Sequence, residues 1–594
     1  MELSKKIRNI AYGVSDFEKL QSRNDYFVDK THFIPALEKY DYVFFIRPRR
    51  FGKSLWLSIL ETYYDIAKKE RFAEFFHDTW ILRHPTEERG TYLMLPFNFS
   101  AVIADPKGVR NSFESYCEIQ IHGTLDKYRS YFPEGAIDFI QQKPTAHEKL
   151  SALFKVTSKN NLSLFILIDE YDNFANTILS SIGENAYYDL THGEGFYRNF
   201  FAVLKAGTSG SGGGLKRLFI TGVSPVTLDD VTSGFNMGKN ISLEPHFNEM
   251  VGFTEPEVRT MLEYYQKEGV FKQEIEPTLE LMRVWYNNYY FHQSATVSLF
   301  NTDMVIYFVQ ISVDRGTPPD ELIDNNIRID YNKLRHLLLI NLQSVAKLNG
   351  NFDLLKSLLE DGETTGRILS SFPVKYLTKP DSFMSLLYYF GLLSYAGVRE
   401  GEPLLKIPNR AVWELMYGYL REAWDDTEVF RLNLWKLAQM IHAMAWHAKW
   451  REFFEFLGEQ IKIQTSIRDY LSAEKVVQGF LLAYLNVSHF YITRPEREMN
   501  KGFADIFLEP FLAQYPEIPY AYLLEVKYFK RDEMTESKLQ QVVQKAKDQL
   551  TLYLQDEIIT QQYAQVKTLG LVIVFHGWEL VYLEQVCKLG DAET

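Results

Sequence analysis

The sequence predicts an α/β protein in three parts. Residues 1–245 read as a parallel-sheet domain with a phosphate-binding loop, 246–460 as a helical lid and linker, and 461–594 as a smaller α/β domain. Three observations predict this. An apolar run passes through a basic turn into Gly52-Lys53-Ser54 and then a helical pattern. A second apolar run ends in the acid pair Asp169-Glu170. Near the C-terminus, two strand-like segments carry Asp505 and Glu525-Val526-Lys527 within otherwise apolar sequence. At 594 residues the chain is too long for one core.

Composition narrows the class. Hydrophobic residues at 46% describe a chain that can bury a core, and no run of eighteen apolar residues predicts a membrane span. The opening MELSKKIRNIAYG lacks an apolar signal core, so a cytoplasmic location is expected. Cys117 and Cys587 are the only cysteines, too few for a disulfide framework or a zinc site. A net charge of −13 gives no bulk attraction to nucleic acid, so any such contact must use local basic patches.

In the first forty residues, Asp29 and Thr31 precede a helical pattern and serve equally well as helix caps or as groups near a nucleotide. Tyr42–Ile46 is a buried strand, broken at Arg47-Pro48. Leu55, Trp56, Leu57, Ile59 and Leu60 then set out a helix. Strand, turn, Gly-Lys-Ser and helix form the context of a phosphate loop. Backbone N–H groups across Arg50, Phe51, Gly52, Lys53, Ser54 and Leu55 would face an anion at the helix start. Lys53 would reach the β- and γ-phosphates of ATP, and Ser54 would hold Mg²⁺. The usual spacing asks for glycine at position 47, where this chain has Arg47. The competing reading is a basic turn before a surface helix.

Leu93–Phe99 is the next strand, and Pro96 within it predicts an edge or a bulge. Residues 110–160 read as helical. Leu164–Ile168 has the unbroken apolar character of a parallel strand and ends in Asp169 and Glu170. Asp169 would lie near Mg²⁺, and Glu170 would polarise the attacking water as general base. Two solvated acids are the simpler alternative. After the glycine-rich loop 207–214, Leu218–Thr221 is a short strand whose tip offers Thr221 or Ser224 as a γ-phosphate sensor, or simply turns. Arg198 lies on an amphipathic helix, where most arginines are solvated. From 250 to 460 the pattern is mostly helical. A capping box at Thr254 and Glu257 opens it, and an aromatic cluster over 285–301 reads as core.

In the last part, Ala473–Leu485 predicts a helix and Phe490–Thr493 a short strand. A polar stretch, Arg494–Gly502, leads to a strand at Phe503–Leu508 and another at Tyr520–Phe529. Alternation puts Glu525 and Lys527 on one face. Charged groups in so apolar a strand need a reason, since unpaired burial costs a few kcal/mol or more. A metal supplies one. Asp505 and Glu525 offer hard oxygen ligands for Mg²⁺ or Mn²⁺, with the Val526 carbonyl as a further ligand. Lys527 would orient water or stabilise a phosphorane-like state. The alternative is an exposed sheet face with a Glu–Lys pair. Glu474 and Glu498 could add acids but read more simply as solvated. On the helix Ser537–Leu554, Lys538, Lys545 and Lys547 could meet a phosphate backbone, and Gln549 and Tyr553 share a face. Leu569–Phe575 and Leu580–Leu583 are closing strands.

On YFVDKTHFI, FIRPRRFGKSLWLS, LFILIDEYDN and LFITGVS, the N-terminal part resembles an AAA-ATPase-like bacterial family. On REMNKGFADIFLEP, LLEVKYF and KAKDQLTLYL, the C-terminal part is similar to the PD-(D/E)XK nuclease class. The resemblance makes Arg47 typical, because the family loop reads RPRRFGKS. It places Asp505, Glu525 and Lys527 on the nuclease motif. Phe503-Ala504 departs from the usual glycine-arginine ahead of the motif aspartate, which bears on substrate fit. The implied protein is an ATP-hydrolysing, Mg²⁺-dependent nuclease acting on nucleic acid, with DNA expected, under nucleotide control. A homo-oligomer is expected, a neighbour's arginine completing the ATP site. The alternative is a nucleotide-gated switch or scaffold whose C-terminal domain binds nucleic acid or protein without cutting. A toxin-like effector is a third reading, which the missing export signal disfavours.

Overall fold

The structure is a computed structural model. It describes residues 7–586 apart from 106, 210–212, 233–237, 325, 328–350, 352, 353, 356, 357, 360, 361, 378, 427–429, 465–473, 500, 501 and 513. Cys587 lies outside that set, as does the side chain of Glu498. The chain divides into two compact units, 1–343 with 363–412, and 344–362 with 413–594.

The first unit is built on five strands: β1 (Tyr42–Ile46), β2 (Leu93–Asn98), β3 (Leu164–Asp169), β4 (Leu215–Gly222) and β5 (Lys239–Asn240). Their order is β2-β3-β4-β1-β5 and every pairing is parallel. That explains the unbroken apolar runs, since parallel strands are covered on both faces. All six residues of β3 are buried. The covering helices include α1 (Lys53–Tyr64), α2 (Val109–Lys127), α3 (Ala146–Lys159), α4 (Asn173–Ser181) and α5 (Phe196–Gly207). β2 is an edge strand, which is what Pro96 requires. β1, β3 and β4 end along one edge of the sheet, where an open α/β sheet presents its ligand.

The same unit continues through α6 (Glu255–Lys267), α7 (Ile275–Tyr286) and α8 (Thr302–Arg315). The Thr254–Glu257 capping box is formed. The aromatic cluster is core: Trp285, Tyr286, Tyr289, Phe291 and Phe300 are all buried. The mostly helical reading of 250–460 needs one correction. A small antiparallel sheet is formed by β6 (Glu363–Thr365), β7 (Ser394–Arg399) and β8 (Glu402–Lys406). Its hairpin turns at Glu400 and Gly401, with φ of +52° and +86°, the pair of left-handed residues that a tight hairpin uses.

The second unit holds a mixed sheet of β9 (Tyr491–Met499), β10 (Gly502–Pro510), β11 (Tyr520–Phe529), β12 (Lys567–His576) and β13 (Glu579–Val586). The order is β13-β12-β11-β10-β9, with β11 and β12 parallel and the other neighbours antiparallel. Helices α9 (Leu434–His447), α10 (Trp450–Ile463), α11 (Glu474–Leu485) and α12 (Glu536–Tyr553) pack around it. From α12, Val543, Ala546 and Leu550 join Phe507, Leu523 and Val572 in one apolar cluster. The polar stretch after Thr493 is not a loop: β9 runs on to Met499 and pairs with β10. As an edge strand β9 has a solvent side, which tolerates polar sequence. Among the described residues, no helix is long and apolar enough to cross a membrane.

Candidate functional sites

The phosphate loop is shaped by side chains that point away from it. Arg47 is fully buried and donates to the carbonyls of Ile46, Ser242 and Phe247. Its guanidinium also lies over the rings of Phe45 and Phe291, at 4.5 and 4.2 Å. Burial lowers its pKa to about 10, with Tyr388 and Tyr389 opposing. Arg50 and Gly52 are left-handed, at φ +67° and +92°. The Phe51 ring packs edge-on to Tyr289 and Phe291, and its carbonyl accepts from Gly252 N (3.0 Å) and Thr302 Oγ1 (3.3 Å). Arg50 pairs with Asp303 at 3.2 Å. The loop is thus tied to the segment that begins α8. Gly52 starts α1 without any side-chain cap, leaving the first N–H groups of a twelve-residue helix to a ligand.

Lys53 Nζ donates to the carbonyls of Arg47 (3.0 Å) and Pro48 (2.8 Å), and burial lowers its pKa against the pull of Glu170 and Asp169. Ser54 Oγ donates to Asp169 Oδ2 at 2.6 Å. This contact joins the two sequence motifs. Burial and the neighbouring Glu170 raise the Asp169 pKa, with the Ser54 hydrogen bond opposing. Glu170 follows in a left-handed conformation, φ +51°, and accepts from Asn173 Nδ2 at 3.0 Å. Strain of this kind in a non-glycine residue collects at functional sites.

A cavity of about 430 Å³ opens over the loop. Arg50, Phe51, Gly52, Lys53, Ser54 and Leu55 all line it, and so does Glu170. Further walls come from residues 11–30, from Asn98 at the end of β2 and Ser100 just past it, from Asn173, and from 250–253 and 302–306. Thr221 and Ser224 do not line it. The Thr221 hydroxyl donates to the Phe45 carbonyl (2.7 Å), and Ser224 Oγ accepts from Val226 N (3.2 Å). Arg198 is half-exposed on α5 and also stands outside the lining. Asp29 accepts from Thr31 N and Trp80 N, and Thr31 Oγ1 accepts from Ile81 N, so both brace local backbone.

Asp172 is a residue that the sequence reading passed over. It is buried and accepts from Val223 N, from Ser224 N (2.6 Å) and from Asn176 Nδ2 (2.8 Å). It therefore pins the turn after β3 to the tip of β4. Gly222 is needed there, since a Cβ would come within 2.4 Å of Asp172 Oδ1. Burial and Glu170 push the Asp172 pKa up to about 6. Asn98, opposite Asp169 in the sheet register, was passed over too. A polar residue ending an edge strand was the available signal.

In the second unit, Asp505, Glu525 and Lys527 come together. Asp505 Oδ2 accepts from Val526 N (2.7 Å) and Lys527 Nζ (2.9 Å), and Glu525 Oε2 lies 3.0 Å from Lys527 Nζ. Glu474, at the start of α11, approaches Lys527 at 3.6 Å. Burial and Asp505 raise the Glu525 pKa to about 7, with Lys527 opposing. Burial lowers the Lys527 pKa, but Asp505, Glu525 and Glu474 outweigh it and the net shift is upward. Glu525 Oε1 is buried without a hydrogen-bond partner, an acceptor left open for a cation. Among the described residues, no three acidic, histidine or cysteine side chains are gathered as a metal cluster. Two carboxylates still fit Mg²⁺, which keeps several waters and takes one or two carboxylates. Tyr553 is buried near this centre, and Glu525 and Asp505 help burial raise its pKa while Gln549 opposes. Lys547 pairs with Glu584, Lys538 donates to the Glu533 carbonyl, and Lys545 is exposed.

Strand order, uncapped helix and paired acids define a phosphate-loop ATPase-like domain, and the mixed sheet with its Asp–Glu–Lys cluster a nuclease-like one. The family comparisons agree: residues 11–232 match the family described as "Predicted AAA-ATPase", and 472–585 match the PD-(D/E)XK nuclease superfamily. The chain thus carries a match to each of these two domain families, one after the other. Domains of these classes use a nucleotide and a divalent metal. A protein of Azotobacter chroococcum mcd 1, described as "Uncharacterized protein in vnfD 5'region", is 26% identical over 314 residues. The match covers 51% of this chain and 52% of that protein, so the chain spans about half the length of this relative. The Aeropyrum pernix ORC2 protein in ADPNP-ADP complexes aligns at 11% identity over 67% of this chain and 93% of that one, with a TM-score of 0.30. The Aeropyrum pernix ORC1 protein in complex with DNA aligns at 11% identity over 66% and 90%, with a TM-score of 0.23.

Proposed function

We propose that this chain binds and hydrolyses ATP in the first unit and cuts nucleic acid, DNA foremost, with Mg²⁺ or Mn²⁺ in the second. Nucleotide state would govern cutting. The observation that carries the reading is the 2.6 Å contact to Asp169, 115 residues away in sequence, from Ser54, which lines one cavity with Lys53 and Glu170. Lys53 would leave the loop carbonyls for the β- and γ-phosphates. Ser54 and Asp169 would hold the metal, which neutralises phosphate charge when bound. Glu170 would take the proton of the attacking water, held meanwhile by Asn173.

In the second centre Asp505 and Glu525 would be the metal ligands, and Lys527 would steady the developing negative charge. We place the protein in the cytoplasm as a homo-oligomer, with 1–245, 246–460 and 461–594 as ATPase, lid and linker, and nuclease parts. One reading competes. The net charge of −13 and the absence of a third clustered ligand among the described residues favour a nucleotide-gated switch or scaffold that binds without cutting.

Phosphate release from ATP tests the first half: wild type should hydrolyse, and Lys53→Ala should not. Glu170→Gln should bind ATP yet turn over at least about a hundredfold more slowly. Calorimetric Mn²⁺ titration tests the second half, where Asp505→Asn should abolish one binding event. Normal hydrolysis in Glu170→Gln, or unchanged Mn²⁺ binding in Asp505→Asn, would refute the respective half.

A further inference from the structure

Beside the second centre stands an aromatic ring that the core does not use. Phe503 is 59% exposed, while Ala504 and Ile506 on the same strand are fully buried. Alternation places Phe503 on the face of β10 that carries Asp505, one step of about 6.6 Å away. The β10–β11 pairing runs as far as Ile506↔Leu524, and past it Val526 N and Lys527 Nζ both donate to Asp505 Oδ2, two residues along β10 from Phe503. Just before it, Gly502 is pressed by Tyr553, whose hydroxyl would lie 2.4 Å from a Cβ there. The ring therefore emerges next to the paired acids and lysine.

Three described cations of this unit are held by neighbours. Lys527 is held by Asp505 and Glu525, Lys547 by Glu584, and Arg531 lies over Trp578 at 3.4 Å. Duplex DNA is gripped largely through cations on its phosphates, and the chain carries a net charge of −13. Unpaired strands are gripped differently, by bases stacking on aromatic side chains. A base inside a duplex has both faces covered by its neighbours and offers none to Phe503.

We propose that the second centre takes unpaired nucleic acid, as single strands or frayed ends, with one base stacked on Phe503 and the adjoining phosphate at Asp505, Glu525 and Lys527. The phosphate half rests on the nuclease reading above. The stacking half does not. DNA and RNA share this chemistry.

The test uses the full chain as wild type, Phe503→Ala and Phe503→Trp. Substrates are single-stranded DNA, single-stranded RNA, blunt duplex DNA and a duplex with an unpaired flap. Cleavage is followed with Mn²⁺, and binding with Ca²⁺ from the fluorescence of an adenine analogue that stacking quenches. Phe503→Ala should raise KM for single strands and flaps about tenfold, leave kcat within a few-fold, and abolish the quenching; Phe503→Trp should restore all three. An unchanged KM and quench in Phe503→Ala would overturn the proposal, as would an equal loss on blunt duplex. If wild type quenches the analogue but cuts nothing, the nuclease reading fails and the stacking site stands. If it does neither, both fall. Thermal melting of the variants guards against misfolding, which a ring this exposed makes a small effect.

Discussion

Arg47 occupies the position where phosphate loops of this spacing carry glycine, and it works as an anchor. Its guanidinium meets three carbonyls and two rings. Arg47→Gly restores the common pattern yet should cost about 2–4 kcal/mol, because buried carbonyls lose a charged donor; urea unfolding would measure it. Asp172→Asn keeps the shape but puts an amide hydrogen against Val223 N–H or Ser224 N–H. ATP turnover should fall about tenfold or more with KM for ATP nearly unchanged, since Asp172 touches the turn and not the cavity lining. Glu525 gives a pH dependence. Its carboxyl holds a proton up to about pH 7 in the fold, against 4.5 ordinarily. Between those values the unfolded chain loses the proton first, so this group lowers stability as pH rises through that window. Glu525→Gln should flatten that fall. Metal needs the ionised form, so Mn²⁺ should raise Tm more at about pH 8 than at about pH 5.5, and not in Glu525→Gln. Lys53, Ser54, Asp169, Asp505, Glu525 and Lys527 were legible because each belongs to a spaced motif. Asp172 was not, since an acid just past an acid pair looks solvated until the β4 tip folds over it.

Elements explain how the phosphate loop is held. The loop after β1 is braced by Phe51 between Tyr289 and Phe291 and by the Arg50–Asp303 pair at the start of α8. Phe51→Ala should cost about 3–5 kcal/mol and raise KM for ATP, with melting and initial-rate measurements as the checks. Strands β1 and β3 were plain in the sequence, because parallel strands buried on both faces read as unbroken apolar runs. The docking of the 285–301 aromatics against the loop was not plain, because periodicity shows that a residue is buried and not what it is buried against. The hairpin of β7 and β8 was hidden in a helical reading. Its signal was the short Glu400-Gly401 turn between two strand-length segments.

The whole molecule carries two chemical centres in two compact units, one built around Ser54 and Asp169 and one around Asp505, Glu525 and Lys527. The class of each domain was legible from its motifs. The nucleotide control proposed between them was not, because such coupling would reside in packing and in nucleotide state, neither of which leaves a motif. The measurement that tests the account most directly is cleavage of nucleic acid by the purified full chain with Mn²⁺ or Mg²⁺, with and without ATP, in wild type, Lys53→Ala and Lys527→Ala. The account predicts cutting that Lys527→Ala abolishes and whose ATP dependence Lys53→Ala removes. Intact ATP hydrolysis with no cutting of any substrate, or cutting that survives in Lys527→Ala, would contradict it.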